Sequence, residues 1–332
     1  MRICTSRLPT LACLLATTCL SPANAQVGTD GTLGPKRNLA GPNIEVPAHL
    51  GQIRGQNLFH SFERFGVQTN GKVTFTGPGG LNNVISRVTG GEASNIDGTL
   101  ASTVPNANVY LVNPSGVVFG PNARLDVPGS FHASTADELR FEDGAVFSAL
   151  DPSGSRLTVA APKAFGFLGS RMSRITVDRS VLQAKEGQNL SLTSENIDVS
   201  GNGIRFDDEG NIGSTAGKVL LAAPGGVAEI EASSGKIQGN ASGSIRMRDE
   251  AVIVSTGSGG LIRIQGGTLD IERGSTILVD PRTTLSKDVP ASIDVLVDNL
   301  NLLSGSSISV DQPIRRKVSG DNVVTGNIPR VV

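Results

Sequence analysis

Apolar residues in the second half of this chain come in pairs two positions apart, and the pairs recur every seven or eight residues. From Ile175 onward they are Ile175/Val177, Leu182/Ala184, Leu190/Leu192, Ile197/Val199 and Ile204/Phe206. A period of two marks a strand with one buried face. Gly, Asn, Asp or Ser stands between most of the pairs, which is where turns form. The series continues with Ile237, Ile245/Met247, Val252/Val254, Ile262/Ile264, Leu269/Ile271, Ile277/Val279, Ile293/Val295, Leu300/Leu302 and Ile308/Val310. Such a rhythm leaves no room for long helices and predicts many short strands.

The last two triplets of pairs are copies of one another. "LIRIQGGTLDIERGSTILVD" from Leu261 aligns with "SIDVLVDNLNLLSGSSISVD" from Ser292 at an offset of 31, with seven identities that include Gly274/Gly305, Ser275/Ser306 and Asp280/Asp311. Three short strands and a longer loop (281–291) thus form one unit. A unit of three strands cannot close a core alone, but units stacked about 4.8 Å apart bury a continuous apolar column. The pattern predicts a parallel β-helix. At about 25 residues per coil it predicts about a dozen coils in a rod of roughly 50–60 Å. A β-sandwich is the alternative, and its usual strand spacing of about 8–12 residues fits the rhythm less well.

Composition limits what such a scaffold can do. Residues 1–25 read as a secretory signal: Arg2 and Arg7, an apolar run from Leu8 to Leu20, then Ala23-Asn24-Ala25 as a cleavage site. The run is shorter than the ~20 residues needed to span a bilayer, so no stable membrane insertion is expected. Cys4, Cys13 and Cys19 all lie in that signal, so the mature chain is expected to carry no disulfide and to thread unfolded through a narrow pore without obstruction. Removing the signal takes away two Arg and no acid, leaving 27 Lys and Arg against 30 Asp and Glu. That acidic balance argues against nucleic acid as a partner. Forty-one Gly, no Trp and one Tyr describe a turn-dense chain whose core is small and aliphatic.

The stretch Asn113 to Thr135 shows the turns at work. "NVYLV" (108–112), "VVF" (117–119) and "RLDV" (124–127) read as strands. Asn113-Pro114-Ser115-Gly116 has the preferences of a type I turn, and Gly120-Pro121-Asn122-Ala123 suits a type II turn. Asp151-Pro152-Ser153-Gly154 repeats the first formula, and all three are expected to be corners between strands.

Four stretches carry a resemblance to a known family: "GQNLFHSFERFGV" (55–67), "NNVISRVTGGEASNIDGTL" (82–100), "NVYLVNPSGVVFGPNARLDVPGSFHASTADELRF" (108–141) and "APKAFGFLG" (161–169). They resemble the amino-terminal secretion domain of filamentous haemagglutinin-type exoproteins, exported by two-partner secretion. The resemblance implies a right-handed parallel β-helix with an N-terminal β cap. It also implies a partner, a cognate outer-membrane β-barrel transporter with polypeptide-transport-associated modules, and a secreted or cell-surface product that passes through the periplasm. In the family, a turn written NPNG followed by an aliphatic residue belongs to the secretion determinants. Here it is Asn113, Pro114, Ser115, Gly116 and Val117, with Ser in the third place, and Asn57 and His60 are added as transporter-recognition residues. A second family element, written NPNL, has no clear counterpart, and "TGGEASNID" (89–97) stands in its region. The organisation expected is a signal over 1–25, a secretion domain over 26–170, continuing coils over 171–315 and a tail over 316–332. Family exoproteins usually continue far beyond this domain, and a host or cell-surface receptor is a possible further partner.

The remaining chemistry-bearing residues are sparse. His49, His60 and His132 are isolated from one another and from Cys, so packing or hydrogen bonding explains each better than metal ligation. Phe59, Phe62 and Phe65 suit a packed cap. Asp207-Asp208-Glu209 is the one dense acidic run and reads as a solvated loop. Arg315-Arg316-Lys317 is too short for a nucleic-acid patch. The sequence therefore predicts no catalytic residue, metal or cofactor, and an adhesin-like exoprotein that is not an enzyme. The alternative is a polysaccharide-degrading β-helix enzyme, which would need several Asp with Arg or Lys lining a groove on adjacent coils.

Overall fold

A computed structural model describes residues 26–201, 212–257, 259–280 and 292–310. Three parallel sheets run along the molecule. The first stacks Asn57–Phe65, Asn83–Val88, Asn108–Val112, Phe131–Ser134, Leu190–Thr193, Lys218–Ala222, Leu261–Ile271 and Ser292–Leu302, each in parallel register with the next. The second stacks Ser94–Ile96, Val117–Phe119, Arg174–Asp178, Asn196–Ser200 and Ser244–Arg248, and joins the far half of Leu261–Ile271. The third face begins with Asn43–Pro47, Lys72–Thr76, Thr99–Ser102 and Arg124–Asp126. It resumes with Leu182–Ala184, Ile212–Thr215, Val252–Thr256, Thr276–Asp280 and Ser307–Val310. This is the parallel β-helix that the paired aliphatics predict. Its interior is one unbroken cluster from Val27 to Val279, filled by Val, Ile, Leu and a few Phe.

The coil count differs from the sequence expectation. The first sheet holds eight rungs among the described residues, about 34 Å of stacked strand at the usual spacing, where about a dozen coils were predicted. Two excursions account for part of the shortfall, and the amino-terminal cap for more of it. The excursions form a separate antiparallel sheet in the order Val146–Ser148, Glu138–Phe141, Pro162–Phe167, Ala228–Glu231, Ile237–Gly239. Ile237 therefore belongs to this flanking sheet and not to a coil, and Asp151-Pro152-Ser153-Gly154 is a turn within the flank, not a corner. The flank lies on the outer face of the first sheet and closes a second core containing Phe59, Ile85, Tyr110, Phe147, Phe165 and Ile230. Strands there are consequently buried on both faces, as Asn83–Val88 is throughout, which is the usual state of covered parallel sheets.

Two smaller expectations are also corrected. Val252 and Val254 are not the inward pair of their strand. Ile253 points into the coil, aligned with Ile212 and Ile277, and a shift of one residue exchanges the faces of a strand. The Gly120–Ala123 turn closes by the Ala123 amide donating to the Gly120 carbonyl at 2.9 Å. Asn122 is not among the residues with positive φ, so the turn is not type II; its amide is held instead by Asp97 at 2.9 Å. Ile204/Phe206, Asp207-Asp208-Glu209, the 281–291 loop, the signal and Arg315-Arg316-Lys317 lie outside the described residues.

An amino-terminal cap is present, as expected. Val27–Thr29 and Gln52–Arg54 run antiparallel to Asn57–Phe65, and Asn38–Leu39 pairs with the former. The register shifts opposite Gly28/Thr29, with Gly28 facing Arg64 and Thr29 facing Phe62. That bulge turns both Phe62 and Phe65 inward while Phe59 faces the flank, so the three-residue spacing reflects a bulged strand and no helix.

Candidate functional site

The Asn113–Val117 segment is a corner between the first and second sheets. Strand Asn108–Val112 delivers it and strand Val117–Phe119 carries the chain away. The Gly116 amide donates to the Asn113 carbonyl at 3.0 Å, closing the turn that the sequence predicts. The Ser115 amide donates to Asn113 Oδ1 at 2.9 Å. Asn113 Nδ2 donates to the Glu92 carbonyl at 2.9 Å and to Ser94 Oγ at 3.0 Å. Every hydrogen-bonding group of the Asn113 carboxamide is thus used, and the side chain has no solvent exposure. Aspartate could not donate these bonds and alanine would leave their partners unpaired inside the corner. Gly116 has φ +115, and a Cβ there would sit 3.1 Å from the Arg174 carbonyl, so both conformation and space favour glycine.

These contacts settle where "TGGEASNID" lies. Glu92 and Ser94 belong to the corner one coil earlier, so the segment occupying the second element's region packs directly against the NPSG turn. The next corner, 168–173, lies on the other side. Buried Glu195 accepts from the Arg171 amide at 3.0 Å and the Ser173 amide at 2.9 Å. Buried Asp137 accepts from the Leu168 amide at 2.7 Å and Arg171 Nε at 2.8 Å. The three corners enclose an open groove of about 520 Å³ lined by Gly91, Ala93, Pro114, Ser115, Met172 and Arg174, among others.

Of the seven residues singled out from sequence, five meet here and two do not. Pro114 is buried, Ser115 is exposed, and Val117 points into the coil. Asn57 sits at the opposite end of the strand stack, aligned through Asn83 with Asn108. It is 1 % exposed and donates to the Thr158 carbonyl at 3.1 Å and the Ala160 carbonyl at 2.7 Å. His60 lies inside the coil, its ring centroid 5.8 Å from that of Phe62 and 5.5 Å from that of Phe75, with neither ring nitrogen hydrogen-bonded among the described residues. Burial lowers its pKa to about 4, so the ring is neutral near pH 7. Both residues are internal because each alternates onto a covered face of a sheet buried on both sides.

Sequence reasoning missed a side-chain ladder that begins at Asn57. Asn83 donates to Asn57 Oδ1 at 2.8 Å, Asn108 donates to Asn83 Oδ1 at 3.2 Å, and the Ser130 amide donates to Asn108 Oδ1 at 2.9 Å. The Asn189 amide then donates to Ser130 Oγ, and the Lys218 amide to Asn189 Oδ1, each at 3.0 Å. A signal existed: "NLF", "NVI" and "NVY" start at 57, 83 and 108, spacings of one coil. The grip of Asp137 and Glu195 on the third corner carries no comparable signal.

Acidic residues face adjacent coils on the second sheet, but Asp198 pairs with Arg174 and Glu272 with Arg246. Among the described residues no cluster of His, Cys, Asp and Glu has the geometry to hold a metal ion, and no helix is long and apolar enough to cross a membrane.

The class defined here is a capped parallel β-helix with a flanking sheet and a tightly built turn at one corner. The chain matches the family of TPS secretion domains over residues 25–279, and it belongs to that family of two-partner secretion exoproteins. It is 39% identical over 85 residues to the heme/hemopexin-binding protein of Haemophilus influenzae, a stretch that covers 26% of this chain and 9% of that protein. The chain therefore spans about a tenth of that relative's length. Among solved structures it is similar to the HMW1 secretion domain from Haemophilus influenzae (18% identity, TM-score 0.41, 77% of this chain and 80% of that one). It is also similar to the filamentous hemagglutinin secretion domain (11% identity, TM-score 0.39, 77% and 90%). As a member of the family, the chain carries the secretion domain of a secreted exoprotein.

Proposed function

We propose that polypeptide-transport-associated modules of the transporter read Asn113–Val117 on the open chain in the periplasm, before the corner closes. The observation that carries this is the burial of Asn113 with all its carboxamide bonds spent internally. In the folded protein only Ser115 of the turn is exposed, so side-chain reading of Asn113 belongs to the unfolded state. An extended segment around it has unpaired backbone that can add to a sheet edge of a partner. Once folded, the same residues become the joint between two sheets. Asn57 and His60 follow the same logic: they are readable on the open chain and buried afterwards.

The division at residue 170 is proposed on functional grounds, since the interior core crosses it without a break. The product is read as a non-enzymatic, adhesin-like protein displayed on or released from the cell surface, with any receptor contact made elsewhere than the export address. A peptide spanning 105–135 separates recognition from folding. It is expected to bind the purified periplasmic modules, and the Asn113→Ala/Pro114→Ala peptide to bind at least about tenfold more weakly, the loss of one or two good hydrogen bonds. Equal binding would confine those residues to the folded corner.

A further inference from the structure

Arg87 heads the largest side chains of the described residues that are wholly enclosed. It lies on the outer face of strand Asn83–Val88, beneath the flanking sheet. Its Nε donates to Ser61 Oγ at 2.7 Å, and Nη1 donates to the Ser148 carbonyl and to Ser155 Oγ, both at 2.6 Å. Nη2 donates to Thr32 Oγ1 at 3.1 Å and more distantly to the Pro152 carbonyl. The guanidinium carbon stands 4.2 Å over the Phe147 ring, in the range of a cation–π contact. No carboxylate among the described residues forms an ion pair with it. Asp30 is reached only through hydroxyls: Ser61 Oγ donates to Asp30 at 2.5 Å and Thr32 Oγ1 at 2.8 Å.

A cation without a direct counter-ion is stable in such a place only while its hydrogen-bond acceptors are all present, because burying an unsatisfied charge costs several kcal/mol. The first coil supplies Ser61 and the amino-terminal cap supplies Thr32. The others come from residues 148–155, more than sixty positions away in sequence. Burial already lowers the Arg87 pKa to about 10, against the raising influence of Asp30 and Asp151. The first rung shows the same dependence. The Asn57 carboxamide needs the Thr158 and Ala160 carbonyls, and the Phe59 ring packs 5.1 Å from Phe147 and 5.7 Å from Phe141.

We propose that segment 141–160 is a latch that closes the amino-terminal cap, so that the first two rungs and the flanking hairpin open and close as one unit with Arg87 as its pivot. The cap then cannot complete its packing rung by rung from its own residues, whatever the later coils do. An export signal lying among residues 57–117 stays open to a partner until the latch is available. The latch itself is a property of the fold and stands whether or not the transporter reads Asn113.

Native-state hydrogen exchange on the full chain tests the latch. The slowest amides of Asn57–Phe65 and Asn83–Val88 are expected to open with the same free energy as those of Glu138–Phe141 and Pro162–Phe167, the mark of one cooperative unit. Ser155→Ala removes an acceptor from a charged donor and is expected to speed exchange about tenfold in all four strands together. Strands Val252–Thr256 and Thr276–Asp280 should keep their rates. Arg87→Met, made from the other side of the contact, is expected to give the same shared loss; if it fails to fold, the Ser155→Ala result decides. Faster exchange in the flanking strands alone, with the first two rungs unchanged, would overturn the proposal.

Discussion

His60 lies inside the coil among Phe62 and Phe75, and His132 lies on the outer face, stacked on Tyr110 at 4.5 Å with Phe165 nearby. Among the described residues, His132 Nδ1 and both nitrogens of His60 have no hydrogen-bond partner. Burial lowers both rings from the ordinary 6.5 to about 4. Between those limits the unfolded chain takes up protons that the native protein refuses, so stability is complete above about pH 7 and falls as the pH drops toward 4. Each ring accounts for roughly 3 kcal/mol across that window. Urea midpoints measured from pH 7.5 to 4.5 should fall, and His60→Leu/His132→Phe should remove much of the slope; an unchanged slope would mean these rings do not drive it. The isolation of each histidine was legible in the sequence as a packing role. Which face each ring occupies was not, because period-two alternation does not say which side of a strand a second layer will cover.

Elements differ in how much of themselves they announce. The paired aliphatics of 175–199 and 262–310 locate their coil strands because one face is apolar and the other polar, as in Arg174–Asp178. The flanking strands alternate in the same way, and an antiparallel strand looks like a parallel one until its partner is known; Ile237 was misplaced for that reason. The corner at Asn113 was legible from turn chemistry, but its supports were not, since Glu92, Ser94, Asp137 and Glu195 act through space. The asparagine ladder is the most testable of these unannounced features. Asn83 both donates to Asn57 and accepts from Asn108, on a strand buried on both faces. Asn83→Ala should therefore cost about 1–3 kcal/mol by leaving neighbours unpaired. Chemical denaturation of the variant checks this, and a loss below a few tenths of a kcal/mol would show the ladder to be decorative.

At the scale of the molecule, two regimes of cooperativity share one spine. The later coils meet only their neighbours: Ile277 pairs with Ile253 before it and Ile308 after it, which makes local stability a nearest-neighbour affair. The amino-terminal half is tied across long sequence distances by the flank, with Phe165 aligned to Leu139 and Ile230 from two separate excursions. Both Phe165 and Ile277 are fully enclosed, so truncating either to alanine removes comparable packing, about 2–5 kcal/mol. The spread of the damage should differ. Ile277→Ala is expected to raise hydrogen exchange in Val252–Thr256, Thr276–Asp280 and Ser307–Val310 while the cap keeps its protection. Phe165→Ala should weaken Asn57–Phe65, Asn83–Val88 and the whole flanking sheet together. If Ile277→Ala loosened the cap as strongly as its own coil, the spine would be a single cooperative body and the division between a latched head and a stacked tail would have no physical basis.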